Sequence, residues 1–350
     1  GATVAAQRGG CHRSFGGKGS NRGRGARLSE PLAALELVEI NTEVASPPRV
    51  VLVRPLYGGN VGATCRAMAN TGLEELHLVD ATYELFRAYY GTPPEIDANG
   101  RPISAVRGLI QTLLLLLRQD HVTHVACAFD HEVKSFRNQM FDGYKTGERV
   151  PADLLTQFDL AERAVSALGI VVWPMVEFEA DDAIATAAIR WAAEPGVKQV
   201  VICSPDKDLM QLVRDPDVVC LDRRRAITYD VAAVKEKFGV APGSIADYLA
   251  LVGDSADGIP GVSRWGAKSA AQVLDRYRRI EDIPDNPLLW DVSPRGAKSM
   301  AATLRDHRDH AALYKVLATL RLDVPLAEGL SDLEWRGVRR HDYQALCDDL

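Results

Sequence analysis

The feature of this 350-residue chain that most restricts its fold is an alternation of short apolar segments with helical segments. Strand-like runs occur at 49–54, 76–80, 124–130, 170–174, 199–206 and 218–222. Helical patterns separate the later runs at 102–119, 151–168, 179–193 and 229–239. Short apolar strands alternating with helices favour a mostly parallel sheet with helices on both faces. After about residue 240 the pattern is helical only, so an α/β domain followed by an all-helical region is predicted.

Charge is distributed unevenly along the chain. Residues 1–30 carry six lysines and arginines against one glutamate, whereas the whole chain has a net charge of −6, which leaves −11 for the remainder. The segment 1–48 begins with a run rich in Gly, Arg and Ser and is predicted to be a disordered or poorly ordered basic tail. An acidic body disfavours a general polyanion binder, but it suits an enzyme whose carboxylates hold metal ions.

Cellular location is predicted from what the sequence lacks. The six cysteines form no CxxC pair, and three of them lie in apolar runs typical of buried thiols. The longest apolar run, 109–117, is too short to span a bilayer, and no signal-peptide pattern stands at the start. We expect a cytoplasmic protein that does not contact membranes.

Acidic residues stand at the ends of the predicted strands and at the starts of nearby helices. Ligands collect at the carboxyl ends of strands in open α/β sheets. Taken singly, an aspartate before a helix is commonly an N-cap, and the segment SPDKD is compatible with a plain turn. The acidic residues at such positions are Asp80, Asp130, Glu179, Asp181, Asp182, Asp206, Asp208, Asp254 and Asp257.

As a set, these carboxylates indicate a metal centre. Each like-charged pair at about 6 Å would cost roughly 3 kcal/mol at an effective dielectric constant near 20 unless a cation lay between them. The set contains only oxygen ligands, which favours Mg²⁺ or Mn²⁺ over zinc. Two such ions are suited to the hydrolysis of phosphodiester bonds.

Five stretches resemble, in order and spacing, the motifs of the 5′ nuclease family, which includes flap endonucleases and the 5′→3′ exonuclease domain of bacterial repair polymerases. They are LVDATYELFR, AFDHEVKSFRNQMFDGYKTGE, EFEADDAIAT, SPDKDLMQLV and YLALVGDSADGIPGVSRWGAKSA. The resemblance covers about 76–327 and implies a PIN-like 5′ nuclease fold. It also implies that the first five acidic residues hold one metal ion and the last four a second.

The segment 258–270 resembles the family's helix–two-turn–helix, which binds duplex DNA and often a potassium ion. The resemblance implies DNA contacts at Gly258, Gly261, Gly266, Lys268 and Ser269. A glycine-rich loop before a helix N-terminus suits phosphate binding.

The segment 131–150 resembles the family's helical arch, through which single-stranded 5′ ends pass. Arg137 and Tyr144 are expected to contact DNA there, although the composition alone is that of an ordinary solvated helix. Lys145, Arg149 and Arg87 are the candidates for stabilising charge in the transition state.

Residues 49–79 resemble a different family, the SPOUT-class RNA 2′-O-methyltransferases, through the signature NVGATCRAM. The glycine-rich loops that bind the cofactor in that family do not follow, so methyl transfer is disfavoured. We therefore expect a methyltransferase-like strand–helix fragment at 49–75, a nuclease domain at 76–240 and a helical region at 241–350.

The predicted function is a monomeric, stand-alone, metal-dependent 5′→3′ nuclease acting on DNA with free 5′ ends or 5′ flaps. One alternative is a DNA-binding module whose nuclease centre is weakened by Ala81, where the family has Gly. A second alternative to the nuclease is an RNA 2′-O-methyltransferase. A PIN-class RNase is disfavoured because it lacks the helix–two-turn–helix.

Overall fold

The computed structural model describes residues 74–145 and 150–349. All of them belong to the second of the two units into which the chain divides, Gly1–Pro48 and Arg49–Leu350. The predictions for the basic tail 1–48 and for nearly all of the methyltransferase-like fragment 49–75 lie outside the described residues.

A six-stranded sheet forms the centre of the described chain. Its strands are β1 (Glu74–Asp80), β2 (Val122–Asp130), β3 (Val171–Met175), β4 (Val197–Cys203), β5 (Val218–Asp222) and β6 (Ile227–Tyr229). They lie in the order β3-β2-β1-β4-β5-β6, and every pairing is parallel except that of β5 with β6. This confirms the predicted α/β class. The antiparallel edge strand β6 was not predicted, because the sequence pattern assigned its last residue to a helix.

Helices follow most strands and then make up the C-terminal region. They are α1 (Ala81–Gly91), α2 (Ser104–Leu117), α3 (Arg137–Met140), α4 (Ala152–Leu155), α5 (Phe158–Ala167), α6 (Ala180–Trp191), α7 (Val231–Phe238), α8 (Ile245–Val252), α9 (Ala267–Tyr277), α10 (Ala297–Asp306), α11 (Arg308–Ala318) and α12 (Arg340–Asp349). Within the described ranges, no helix has both the length and the apolar composition needed to cross a membrane.

Alternate strand residues divide the core into two layers. Leu76 and Leu78 of β1 pack on one face with α6 and the C-terminal helices. Val79 packs on the other face with α1, α2 and α5. Because successive side chains of a strand point to opposite faces, a strand buried on both sides is apolar throughout. Helices on both faces leave the carboxyl edge of the sheet as the place where polar side chains gather.

The segment expected to form a helical arch, 131–150, contains only one short helix in its described part, α3. Residues 146–149 of that segment lie outside the described residues. The segment after β2 lies close to α6, since Phe136 N–H donates to the Glu177 carbonyl at 2.9 Å.

A buried arginine joins the sheet domain to the helical region. Arg137 is 1% exposed, and its guanidinium donates to both carboxylate oxygens of Asp182 at 2.7 Å and to Glu179 at 3.0 Å. It also donates to the carbonyl oxygens of Leu317 and Thr319, at the end of α11. One side chain therefore holds the start of α6 and the end of α11 together.

Replacing Arg137 by alanine should lower the free energy of unfolding by about 3–5 kcal/mol, because two buried carboxylates lose their partner. Urea unfolding measures this change. Arg190→Ala is the matched control, since Arg190 is exposed and donates only to the Leu326 carbonyl among the described residues. Equal losses in the two variants would contradict the assigned role of Arg137.

Candidate active site

The first two carboxylates end the neighbouring strands β1 and β2. Asp80 caps α1: its Oδ1 accepts from the Tyr83 N–H at 2.8 Å, and its Oδ2 accepts from the Ser204 hydroxyl at 2.8 Å. Asp130 accepts from the Ala180 N–H at 2.8 Å. Each aspartate thus keeps a fixed orientation at the carboxyl edge of the sheet.

The start of α6 supplies three carboxylates with different environments. Glu179 is the N-cap, and Asp181 faces the same cleft as Asp80. Asp182 points away from it, is fully buried and accepts hydrogen bonds from Arg137 and from the Glu179 and Arg321 backbone N–H groups. The expectation that Asp182 binds metal is therefore corrected: its oxygens are already occupied, which makes it a residue that positions Glu179.

The burial of Arg137 corrects a second expectation. A guanidinium that is 1% exposed and bonded to two carboxylates is not available to DNA. Tyr144 is 2% exposed, and its hydroxyl donates to Glu179 at 3.1 Å. Both residues were expected to contact DNA, and both instead hold Glu179 in place.

The loop after β4 adds two carboxylates. Asp206 follows the strand end, and Asp208 caps a single 3₁₀ turn by accepting from the Leu209 N–H at 2.9 Å. Asp181, Asp206 and Asp208 each place a carboxylate oxygen within 4.8 Å of the other two. Three carboxylates this close together, with oxygen donors only, match the ligand set of a hard divalent cation.

The helical region contributes the last two carboxylates from the loop after α8. Asp254 and Ile259 exchange backbone hydrogen bonds at 2.8 and 2.7 Å, which closes this loop. Asp257 lines the cleft, whereas Asp254 is 2% exposed and pairs with Lys207 at 2.6 Å. The two predicted domains therefore contribute to one site.

These residues surround a cleft of about 550 Å³. Six of the nine predicted acidic ligands line it, namely Asp80, Asp130, Glu179, Asp181, Asp206 and Asp257. An apolar wall of the same cleft is formed by Tyr83, Phe86, Val133, Val150 and Phe158. The cleft therefore combines charged side chains with a surface suited to a flat apolar group.

Burial and the charges of neighbouring carboxylates raise the pKa of several acidic residues in the cleft. Burial, followed by the charges of Asp130 and Asp206, raises the pKa of Asp80 to about 7. Burial and the neighbouring carboxylates also raise the pKa of Asp257 to about 6 and that of Asp181 well above its usual value. These shifts favour the protonated form of each carboxyl group, and a cation bound nearby would favour the ionised form instead.

Glu179 is the exception because positive charge surrounds it. Burial acts to raise its pKa, but the charges of Lys145 and Arg137 outweigh burial and lower the pKa to about 2. Lys145 lies 2.5 Å from Glu179 and 3.4 Å from Asp257, and it has a positive φ of 28°. Its ammonium therefore occupies the middle of the carboxylate cluster.

The other two residues expected to stabilise transition-state charge are not found in the cleft. Arg87 donates to Glu84 at 2.7 Å and to the Thr112 hydroxyl at 2.9 Å, on the side of α1 that faces α2. This pairing corrects the expectation of a catalytic role for Arg87 in this conformation. Arg149 lies outside the described residues.

In the glycine-rich loop before α9, the first two glycines pack closely against other backbone, whereas the last glycine is exposed. Gly258 has a φ of +75°, and a Cβ there would lie 2.1 Å from the Gly143 carbonyl oxygen, so only glycine fits. Gly261, with a φ of +74°, packs against the end of α8, where a Cβ would lie 2.6 Å from the Val252 carbonyl carbon. Gly266 caps α9 in open space, and Lys268 in its first turn is exposed while Ser269 is half-buried. Close backbone packing therefore explains the first two glycines.

Sequence reasoning missed three side chains that orient the carboxylates. Ser204 donates to Asp80, Ser135 donates to Glu179 at 2.7 Å, and Lys207 pairs with Asp254. Ser204 and Lys207 both lie in CSPDKD, within two residues of the predicted metal ligand Asp206. Their position in the sequence could therefore have indicated this role. Nothing local marks Ser135, whose partner is 44 residues away.

Comparison with known proteins agrees with this geometry. Residues 75–239 match the family model of the 5′-3′ exonuclease N-terminal, resolvase-like domain, and residues 240–341 match that of its C-terminal SAM fold. A 5′-3′ exonuclease of Bacillus subtilis is 33% identical over 266 residues, which are 74% of this chain and 87% of that protein. DNA polymerase I of Pseudomonas aeruginosa is 37% identical over 260 residues, 72% of this chain. The chain spans only 28% of that polymerase.

Solved structures share the fold at low sequence identity. T5 5′-exonuclease with bound divalent metal ions (zinc) has a TM-score of 0.59 at 19% identity, covering 79% of this chain and 99% of that one. A bacteriophage T5 flap endonuclease in complex with DNA and metal ions has a TM-score of 0.55 at 17% identity, covering 79% and 98%. The described fold is thus a PIN-like sheet domain followed by a helical SAM-fold region.

Without metal ions, the protein should lose stability as the pH rises from about 5 to 8. The pKa of Asp80 is raised to about 7 and that of Asp257 to about 6, so in this window the folded state holds protons that the unfolded chain has released. Thermal unfolding in EDTA measures the loss, and saturating Mg²⁺ at pH 8 should reverse it.

Asp80→Asn should be more stable than the wild type at pH 8 in EDTA, by about 1–3 kcal/mol, since one unit of pKa shift corresponds to about 1.4 kcal/mol. It should also gain less stability from Mg²⁺. Asp217 lies in the turn before β5, at the amino ends of the strands, away from the carboxylates. Asp217→Asn should therefore change neither the stability in EDTA nor the stabilisation by Mg²⁺. A destabilised Asp80→Asn protein in EDTA would contradict the proposed repulsion.

Proposed function

The chain belongs to the 5′-3′ exonuclease family, a family of nuclease hydrolases, and from this premise we propose that it cleaves phosphodiester bonds of DNA bearing a free 5′ end or a 5′ flap. The reaction depends on two divalent cations, for which Mg²⁺ or Mn²⁺ is the best match. The single observation that carries the proposal is the set of acidic residues gathered around one cleft.

The two cations are assigned to ligand sets from different parts of the chain. One set is Asp80, Asp130, Glu179 and Asp181, and the other is Asp206, Asp208, Asp254 and Asp257. The close approach of Asp181 to Asp206 and Asp208 supports adjacent sites. When bound, such cations supply Lewis-acid stabilisation for the attacking water and for the leaving oxygen.

Lys145 is a cationic side chain that lines the cleft itself. In the described conformation its ammonium neutralises Glu179 and Asp257. With these carboxylates neutralised by bound divalent cations, the Lys145 ammonium would be free to bind a phosphate oxygen and to stabilise the charge that develops there. The same role is proposed for Arg149, which belongs to the segment 131–150.

Two other surfaces account for the orientation of DNA. The wall formed by Tyr83, Phe86 and Phe158 suits the face of a nucleobase next to the cleaved bond. Lys268 and Ser269, in the first turn of α9, suit the phosphates of the duplex, with a potassium ion at the preceding loop. A monomer is sufficient for this arrangement.

The proposed weakening of the nuclease centre by Ala81 finds no support in the geometry. The Ala81 side chain is fully buried in the apolar layer formed with α2 and α5. The extra methyl group therefore fills core space. The nuclease remains the better interpretation.

Asp206→Ala should lower the rate of nucleotide release from a 5′-labelled flap duplex in Mg²⁺ by at least about 100-fold, because a lost metal ligand removes several kcal/mol of transition-state stabilisation. Asp217→Ala, the matched control at the opposite edge of the sheet, should keep the wild-type rate. Wild-type protein that binds the flap duplex but releases no product in Mg²⁺ or Mn²⁺ would overturn the proposal.

A further inference from the structure

A second group of metal-binding side chains lies at the amino end of the sheet, away from the cleft. Glu75 and His77 are two residues apart on β1 and therefore share a face. His121 directly precedes β2, whose first residue, Val122, pairs with Glu75. Glu75 and Asp80 are five positions apart on the extended strand, about 16 Å at 3.3 Å per residue. The group is therefore distinct from the carboxylate cleft.

His77 has an unusual environment for a polar side chain. It is 2% exposed, and its Nδ1 has no hydrogen-bond partner among the residues that the structure describes. Leaving such a group unsatisfied costs about 1–3 kcal/mol. Its Nε2 lies 3.9 Å from Glu75 Oε2, and its ring centre lies 5.9 Å from that of His121. Nε2 is thus the ring nitrogen that approaches Glu75, and the ring lies beside that of His121.

We propose that Glu75, His77 and His121 form a site for one transition-metal cation of the zinc class. Their nearest ligand atoms all lie within 4.8 Å of one another. Tetrahedral coordination with bonds of about 2.0–2.1 Å needs ligand atoms about 3.4 Å apart. His121 is exposed and the Glu75 side chain is one-third exposed, so both can close on the fixed His77 by changing rotamer.

The two metal sites differ in the metals they select. Two imidazoles and one carboxylate suit Zn²⁺ or Co²⁺, whereas the cleft offers oxygen ligands that suit Mg²⁺. A cation at the new site links the amino ends of β1 and β2 and lies far from the reacting phosphate. It is therefore expected to stabilise the fold without taking part in catalysis.

The test is zinc binding by the untagged full-length chain in the presence of excess Mg²⁺, which occupies the cleft. Equilibrium dialysis with Zn²⁺ should show one ion bound that His121→Ala removes or weakens at least tenfold. Zn²⁺ should also raise the melting temperature of the wild type and not that of the variant. Co²⁺ absorption in the visible range reports nitrogen ligation of the same site.

His341→Ala is the matched control, because His341 is 99% exposed on α12, and it should bind zinc as the wild type does. The wild type, His121→Ala and His341→Ala should cleave the flap substrate at the same rate in Mg²⁺. Equal rates would also show that His121→Ala is folded. His77→Gln should lose zinc binding as well. Equal zinc affinity in the wild type and His121→Ala, or no zinc bound by the wild type, overturns the proposal.

Discussion

The repulsion between carboxylates at one edge of the sheet is the constraint on which the rest of this structure depends. Parallel strands bring Asp80, Asp130 and the loop of Asp206 together, and the start of α6 adds Glu179 and Asp181. At an effective dielectric constant near 20, each such pair at about 6 Å costs roughly 3 kcal/mol. The fold tolerates this cost only because every group of carboxylates has a cation or a retained proton.

The three cationic side chains that neutralise the carboxylates differ in how firmly the surrounding structure holds them. Arg137 is buried, bonded in a bidentate manner to Asp182 and attached to the end of α11, so it belongs to the framework. Lys145 and Lys207 have side chains that are 25% and 36% exposed and can leave when other cations arrive. The arginine thus fixes the ligands, whereas the two lysines hold places that divalent cations would take.

Sequence periodicity was enough to predict the parallel sheet, its strand ends and the acidic residues at its carboxyl edge. These are local features, because a buried strand is apolar on both faces and its end is marked by the first charged residue. Most of the wrong expectations concern side chains whose partners are distant in sequence; Arg87, which donates to Glu84 three residues away, is the exception. Arg137 and Tyr144 lie in a segment rich in charge and aromatics, but their partners Asp182 and Glu179 are 45 and 35 residues away. Nothing in the local pattern separates an arginine that binds DNA from one that binds a buried carboxylate.

The central claim is that the cleft is a divalent-cation centre from which the lysines withdraw. A crystal structure of the wild-type chain grown with Mn²⁺, with anomalous scattering data, tests it most directly. The account predicts anomalous peaks bounded by Asp181, Asp206 and Asp208, with the Lys145 ammonium displaced from Glu179. Crystals without an anomalous peak in the cleft, in which Lys145 still pairs with Glu179 and Lys207 with Asp254 at saturating Mn²⁺, would contradict it.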